Sequence, residues 1–234
     1  MSLNGIFTWI CMTGAVLWTV VISPPTTLVF LLNRQWGHAL HRLWAKGILW
    51  FMKIQVRWID LENVPSKGGL VIAPNHQSGF DIYVMASSSI NFRWVSKAEV
   101  GKLPFVGWVM QAMGTYFVRR DKSGRDLRVM QKAEEDLQNG IRIVSFPEGT
   151  RTRTGELLPF KKGAFKTAQN AGVPLLPIAI KGTFEIAKPG EFPTRNHFVT
   201  VKVGKPFPVP KDALLENVMI EYRVVLRQLL ESIP

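Results

Sequence analysis

The sequence predicts an α/β protein with a largely parallel central sheet flanked by helices, preceded by an N-terminal membrane-associated helical segment. The first 33 residues carry no charged side chain. The rest of the chain alternates short apolar runs with stretches of helical period. Strands separated by single helices are typical of βαβ units, whose strands pair in parallel. A length of 234 residues fits one such domain with a small appendage.

The amino-acid composition limits the kinds of ligand and site that the protein can have. A formal net charge of +12 and a pI of about 10.1 predict a surface that attracts nucleic acid, anionic lipid headgroups or phosphorylated substrates. A mean hydropathy of +0.09 is high for so charged a chain and argues against a soluble nucleic-acid-binding protein. The single cysteine, Cys11, excludes an internal disulfide framework and a metal site built from several thiolates. We assign no metal and no cofactor to the chain.

The N-terminal region predicts two helices. Residues 6–22 read as a continuous apolar helix of about 17 residues, at the lower limit for crossing a bilayer. We expect Ser23, Pro24 and Pro25 to break it, because proline lacks an amide donor and constrains its predecessor. Residues 34–58 then predict a basic, tryptophan-rich amphipathic helix. The expected division is therefore an N-terminal membrane-associated segment over 1–58 and one further domain over 59–234.

Three interpretations of the first helix compete. A cleaved signal peptide is disfavoured, since no basic residue precedes the apolar run and no small-residue cleavage motif follows it. A buried core helix is the conservative alternative. A membrane anchor, which either spans the bilayer or dips into one leaflet, is the interpretation that we favour. The basic residues that follow the apolar run predict that the main body lies on the cytoplasmic face of the inner membrane.

The chain after residue 58 predicts alternating strands and helices. Apolar runs predict strands at 70–73, 92–95, 115–118, 141–146, 175–180 and 198–203. Helical periodicity predicts helices at 82–89, 125–138, 163–170 and 211–231. The clearest helix is 125–138, in which Leu127, Met130 and Leu137 follow the 3.6-residue period.

The segment NHQSGFD, residues 75–81, brings candidate catalytic side chains to the end of a predicted strand. Asp81 can fold back to accept a hydrogen bond from Nδ1 of His76, which leaves Nε2 free as a base. The alternative is that Asp81 caps a helix beside a loop histidine. Ser78 as the nucleophile of a serine hydrolase is a rival hypothesis, although it would need a second, properly placed base.

Basic side chains follow three of the predicted strands. Lys97 follows 92–95, Arg119 and Arg120 follow 115–118, and Arg151 lies in the loop after 141–146. The carboxyl ends of parallel strands meet at one edge of a sheet, where ligands bind in open α/β folds. The planar guanidinium of arginine suits phosphate oxygens. The pattern therefore predicts an anionic ligand at this edge, although each residue taken singly also fits a solvated surface charge.

Four short segments lie in order along the chain, namely NHQSGFD (75–81), GTYFVRR (114–120), FPEGTR (146–151) and VPLLPIAI (173–180), with SKAEVGKLPFVGW (96–108) between the first two. They resemble the four motifs and the lysine-bearing segment of the glycerolipid acyltransferases of the lysophosphatidic acid acyltransferase (PlsC-like) type. The similarity runs from about residue 60 to 205, and Arg119 departs from it, because an acidic residue often precedes the motif-two arginine.

This resemblance implies the glycerolipid acyltransferase fold and a specific reaction. A fatty acyl group would pass from acyl-CoA or acyl carrier protein to the sn-2 hydroxyl of lysophosphatidate, with His76 as general base and Asp81 supporting it. The resemblance also implies that Pro174 and Pro177 shape an apolar wall near the acyl chain. The residues implied to bind the acceptor are Lys97, Arg120, Glu148, Gly149, Thr150 and Arg151.

Two alternatives stay open. The same fold could acylate glycerol 3-phosphate, another lysophospholipid or a lyso-ornithine lipid. A non-catalytic basic module that binds anionic membrane or nucleic acid would instead need clustered basic and aromatic residues without an ordered His–Asp pair. Six of the eight tryptophans lie within residues 1–58, so we expect an anionic membrane surface, and no nucleic acid, among the partners.

Overall fold

The computed structural model describes residues 3–119, 125–195 and 197–234. The helices are α1 (Leu3–Leu32), α2 (Arg34–Phe51), α3 (Phe80–Ala86), α4 (Val106–Met113), α5 (Arg125–Gln138), α6 (Lys162–Ala171) and α7 (Leu215–Glu231). The strands are β1 (Gln55–Ile59), β2 (Leu70–Pro74), β3 (Arg93–Lys97), β4 (Tyr116–Val118), β5 (Arg142–Val144), β6 (Leu175–Lys181) and β7 (Phe198–Val203). Short 3-10 helices lie at Leu61–Asn63 and Val100–Lys102.

The strands form one open sheet in the order β1-β7-β6-β2-β5-β3-β4. The pairs β1–β7, β6–β2, β2–β5, β5–β3 and β3–β4 are parallel, and β6–β7 is antiparallel. The predicted α/β fold with a largely parallel sheet is therefore confirmed. Because β2 lies between β5 and β6, the segment that leaves β2 is flanked by the carboxyl ends of two parallel neighbours.

Helices cover both faces of the sheet. Successive strand residues point to opposite faces, and in β2 Ile72 joins one hydrophobic core while Val71 and Ala73 join the other. The first core includes residues of α1, α2, α3 and α4, and the second includes residues of α5, α6 and α7. All five residues of β2 are buried, which explains why this strand is a continuous apolar run rather than an alternating one.

Helix α1 is continuous through both prolines, so the prediction that it breaks at Ser23 is wrong. Pro24 and Pro25 remove two amide donors from the helix interior. Nearby hydroxyls add bonds to the same stretch of backbone: Thr26 Oγ1 donates to the carbonyl of Ile22 over 2.7 Å, and Thr27 Oγ1 donates to that of Ser23 over 2.9 Å. Apolar helices tolerate proline where hydroxyls and neighbouring helices support the backbone, and α1 packs against α2 and α4.

Helix α2 begins as predicted but ends seven residues early. The Asn33 side chain caps it by accepting hydrogen bonds from the amides of Gln35 and Trp36. The helix stops at Phe51, and Gln55–Ile59 is the edge strand β1, paired in parallel with β7. The helical prediction to residue 58 is therefore wrong, because the tertiary pairing with β7 overrides the local pattern.

The α1–α2 hairpin packs onto the first core. Phe30 of α1 and Ala45 and Leu49 of α2 belong to the same buried cluster as Ile72 of β2. Helix α4, which the periodicity of the sequence did not reveal, also contacts α1. The hairpin is thus joined to the sheet by apolar packing and is positioned to contribute to a site on this face.

Candidate active site

Asn75 carries the chain out of β2 on a rigid support. Its side-chain amide donates to the carbonyl of Ile180 over 2.9 Å and accepts from the amide of Ile180 over 2.7 Å. Asn75 is fully buried, and this two-way pairing imitates one further step of the ladder between β2 and β6. The next residue, His76, therefore starts from a fixed backbone position.

His76 and Asp81 make the hydrogen bond expected from their spacing. His76 Nδ1 lies 2.8 Å from Asp81 Oδ2. The same oxygen accepts the amides of Gln77 and Ser78 over 2.7 and 2.8 Å, while Oδ1 accepts the hydroxyl of Thr183 over 2.5 Å. An ionised carboxylate can only accept, so Nδ1 of His76 carries the proton and Nε2 carries the lone pair.

Ring stacking and a backbone hydrogen bond also fix the position of His76. The ring stacks on Phe146, with centroids 3.9 Å apart and planes inclined by 16°. The carbonyl of His76 accepts the amide of Thr152 over 3.1 Å. Since Phe146 and Thr152 lie in the loop after β5, this loop and the loop after β2 position the histidine together.

Glu148 ties these two loops to each other. Its Oε1 accepts the amide of His76 over 2.7 Å, and its Oε2 accepts the amide of Leu158 over 2.8 Å. Glu148 is 2% exposed, and burial raises the pKa of its carboxyl, while the two backbone hydrogen bonds act in the opposite direction. Both carboxylate oxygens are occupied by main-chain donors, which favours a supporting role over the substrate contact that the resemblance implied.

The contacts of the Ser78 hydroxyl do not suit a nucleophile. Its hydroxyl donates to the carbonyl of Ala187 over 2.7 Å, and the residue is fully buried. The hydroxyl also lies 3.4 Å from the amide of Phe80, which donates to it. These contacts make Ser78 part of the packing beneath the His–Asp pair and weaken the serine hydrolase hypothesis.

A cavity of about 530 Å³ opens beside His76 and collects several of the predicted ligand-binding residues. Lys97, Gly149 and Arg151 line it together with His76. A β-carbon built on Gly79 would lie 3.5 Å from Nη1 of Arg151, so the guanidinium passes close to the turn between His76 and Asp81. The convergence expected from the strand ends is therefore present for two of the three basic positions.

The structure does not place Arg120, Thr150 or Glu148 among the described residues that line the cavity. Arg120 lies outside the described residues, although Val118 at the end of β4 lines the cavity and pairs with Lys97 of β3. Thr150 is exposed and, like the buried Glu148, is not among the residues that line the cavity.

One further expectation about this region differs from the structure. Pro174 and Pro177 do not line the cavity, so the apolar wall that the resemblance assigned to them has another source.

The apolar side of the cavity is formed by three helices, none of which the sequence analysis assigned to the site. Helix α1 contributes Ile22, Ser23 and Thr26, and α2 contributes His41 and Trp44. Helix α4 adds three further side chains, namely Val106, Val109 and Met110. No local motif identifies these residues as site residues. Thr183 was also missed, although a polar residue just after the carboxyl end of β6 is the kind of signal that identified Lys97.

Comparison with known proteins gives consistent results at the level of sequence and fold. A family model for acyltransferases matches residues 55–181. A chloroplastic 1-acyl-sn-glycerol-3-phosphate acyltransferase of Arabidopsis thaliana is 36% identical over 202 residues, which cover 85% of this chain but 56% of that protein. The 1-acyl-sn-glycerol-3-phosphate acyltransferase of Saccharomyces cerevisiae is 30% identical over 212 residues, which cover 87% of this chain and 68% of the yeast protein.

A solved structure shares the architecture. The crystal structure of the 1-acyl-sn-glycerophosphate (LPA) acyltransferase PlsC from Thermotoga maritima superposes with a TM-score of 0.84 at 24% sequence identity. The match covers 97% of this chain and 95% of the other. The shared fold therefore includes the α1–α2 hairpin as well as the sheet.

Proposed function

The chain belongs to the acyltransferase family, and from this membership we propose that it transfers a fatty acyl group from an acyl thioester to the sn-2 hydroxyl of lysophosphatidate. The product would be phosphatidate. The observation that carries the proposal is the cavity in which His76 lies together with the cations Lys97 and Arg151. A base beside phosphate-binding side chains fits an acceptor that presents a hydroxyl close to a phosphate.

His76 acts as the general base in this proposal. Its Nε2 removes the proton from the acceptor hydroxyl while the hydroxyl oxygen attacks the thioester carbonyl, without an acyl-enzyme intermediate. Asp81, 2.8 Å from Nδ1, stabilises the imidazolium that forms. The tetrahedral intermediate then expels the thiolate, which takes up the proton from His76, so the products are the new ester and a free thiol. Proton transfer of this kind typically contributes about 10²–10⁴-fold to a rate.

The cations orient the acceptor. Arg151 offers two parallel donors to phosphate oxygens, and Lys97 adds a point charge on the neighbouring strand. The net charge of +12 raises the local concentration of an anionic acyl donor, either acyl-CoA or acyl carrier protein. These features favour lysophosphatidate over a lysolipid without a phosphate monoester, such as a lyso-ornithine lipid.

The hairpin supports action at a membrane, and we place the enzyme at the cytoplasmic face of the inner membrane. The helical segment Gly5–Leu32 is long and apolar enough to cross a bilayer. Only 11% of its most apolar 18-residue stretch is buried, whereas a core helix would be mostly buried. On α2, Trp36, Leu43 and Trp50 follow one another at seven-residue spacing, and all three are exposed. Such a stripe suits the interface between headgroups and acyl chains.

Product analysis tests the proposal directly. Purified full-length protein in detergent is supplied with acyl-CoA or acyl carrier protein and a panel of lysolipids, and the acylated product is identified by mass spectrometry. We expect phosphatidate from lysophosphatidate, and a loss of at least about 10²-fold in turnover for His76→Ala. His197→Ala is the matched control, because His197 bonds to Thr194 and does not line the cavity. Near-normal turnover by a folded His76→Ala protein would contradict the assignment.

A further inference from the structure

The part of the cavity formed by the hairpin contains polar groups that the proposed chemistry does not use. Ser23 of α1 is 2% exposed and His41 of α2 is 6% exposed, and both line the cavity. Among the described residues, the Thr27 hydroxyl bonds to the backbone carbonyl of Ser23 rather than to its side chain. The contacts of the His41 ring are aromatic, with Phe30 and Trp44. Both groups therefore face the cavity with hydrogen-bonding capacity that none of these contacts uses.

His41 is neutral in this position. Burial lowers the pKa of its imidazole to about 3, and the neighbouring His38 and Arg42 act in the same direction. A neutral imidazole has one donor and one acceptor nitrogen, and the Ser23 hydroxyl can also donate and accept. The pair thus matches a ligand group that both accepts and donates a hydrogen bond, without carrying charge.

The immediate surroundings of His41 fix the position of its ring. The His41 ring stacks on Trp44, with centroids 5.5 Å apart and planes inclined by 21°. Trp44 is itself anchored, since its Nε1 donates to Thr19 Oγ1 over 3.0 Å and its ring packs on Tyr83 at 5.4 Å. A buried polar group that meets only hydrocarbon loses its hydrogen bonds to water without replacement. The few polar groups in this mainly apolar wall are accordingly met by water or by a polar ligand atom.

We propose that Ser23 and His41 form a subsite for a hydroxyl group carried by a fatty chain, so that the enzyme favours a hydroxylated chain over an unsubstituted one. This inference rests on the proposed function, since it takes the apolar part of the cavity to hold a fatty chain. The phosphate and thioester groups are accounted for by Lys97, Arg151 and His76. The hairpin residues instead belong to α1 and α2, which carry most of the large apolar side chains exposed among the described residues. A chain that enters from lipid would arrive on this side.

The hydroxylated chain could belong to the acyl donor or to the lysolipid, and both offer the same chemistry to the subsite. One arm of the experiment pairs hydroxypalmitoyl thioesters, each with one hydroxyl at a successive position, with unsubstituted lysophosphatidate. The other arm pairs palmitoyl thioester with lysophosphatidates that carry the same series of hydroxylated chains. The quantity compared is kcat/KM for each hydroxylated substrate relative to its unsubstituted counterpart, with purified full-length protein.

We expect one position of the hydroxyl in one arm to raise kcat/KM by about two- to tenfold, as one net hydrogen bond allows. Ser23→Ala and His41→Leu should each return that ratio to about one. The ratio is taken within each variant, so a general effect of the substitution on chain binding cancels. His38→Leu is the matched control, because His38 lies one turn away on α2 and does not line the cavity. It should keep the preference of the unsubstituted enzyme.

Direct binding separates this inference from the proposed reaction. Displacement of a fluorescent fatty acid measures the affinity of hydroxypalmitic acids and palmitic acid for the same proteins, whether or not any thioester is turned over. A preference that disappears in Ser23→Ala supports the subsite even if lysophosphatidate is not the acceptor. No preference at any hydroxyl position in either assay overturns the inference. A preference that survives in both Ser23→Ala and His41→Leu overturns it equally.

Discussion

Thr183 donates a 2.5 Å hydrogen bond to Oδ1 of Asp81, the carboxylate oxygen that does not face His76. Both residues are fully buried, and 102 positions separate them in the chain. The terminal torsion of an aspartate side chain is soft, so a donor on Oδ1 fixes the rotation at which Oδ2 meets the imidazole. Thr183 is therefore a positioning residue for the His–Asp pair.

Removal of the Thr183 hydroxyl should slow turnover without weakening binding. Thr183→Val keeps the shape of the side chain but leaves Oδ1 of Asp81 without its donor, and we expect kcat to fall about tenfold, or about 1.4 kcal/mol. Thr183→Ser restores the donor and should recover most of the rate. Steady-state kinetics with lysophosphatidate measure both. A rise in KM at constant kcat would show that Thr183 acts on the substrate instead.

Arg151 should contribute mainly to acceptor affinity. Arg151→Ala removes the forked donor from the cavity, so KM for lysophosphatidate should rise by about tenfold or more while kcat changes less. Arg153→Ala is the control, because Arg153 lies on the same loop, is exposed and does not line the cavity. Equal effects of the two substitutions on KM would mean that the loop attracts the anion through its general charge alone.

Glu148 should matter for stability and for the position of His76. Glu148→Gln replaces one carboxylate oxygen by an amide nitrogen that faces a main-chain N–H, and we expect the free energy of unfolding to fall by about 1–3 kcal/mol. kcat should fall with little change in KM. Chemical denaturation and steady-state kinetics of this variant, beside Glu156→Gln on the exposed part of the same loop, provide the test. Loss of lysophosphatidate affinity at normal kcat and stability would restore the substrate contact that the resemblance implied.

His41 should make the protein sensitive to mild acid. Its pKa is lowered by burial to about 3, whereas an unfolded histidine titrates near about 6.5. At pH values between these two pKa values, His41 is protonated in the unfolded chain but neutral in the folded protein. The free energy of unfolding therefore falls as pH falls below about 6.5, by up to about 1.4 kcal/mol per pH unit. Urea unfolding between about pH 7 and about pH 5 measures the slope, which should be smaller in His41→Leu, and an unchanged slope would count against a buried neutral imidazole.

The motif residues were predictable because strand ends carry them. His76, Lys97 and Arg151 lie at or after the carboxyl ends of three different parallel strands, and the topology of such a sheet brings these positions to one edge. The hydrogen bond between His76 and Asp81 was predictable for a different reason, since five positions on a turn that enters a helix bring the two side chains within reach. Local spacing and strand order were sufficient for this part of the site.

The remaining parts depend on contacts that leave no local pattern. Thr183 reaches Asp81 only because β6 lies beside β2. The strand Gln55–Ile59 was assigned to a helix because its basic and aromatic residues continue the composition of α2, and only its pairing with β7 makes it a strand. Pro24 and Pro25 are strong breakers in water, but the packing of α1 against α2 and α4 keeps the helix intact.

The α1–α2 hairpin forms part of the cavity beside His76 through Ile22, His41 and Trp44. A fragment designed to begin at β1 would keep His76, Lys97 and Arg151 but lose the side of the cavity that α1 and α2 form. Inactivity of such a trimmed protein would then report a missing wall rather than a wrong catalytic residue. The same helices would let the thickness and order of the surrounding lipid act on the volume available to the bound chain.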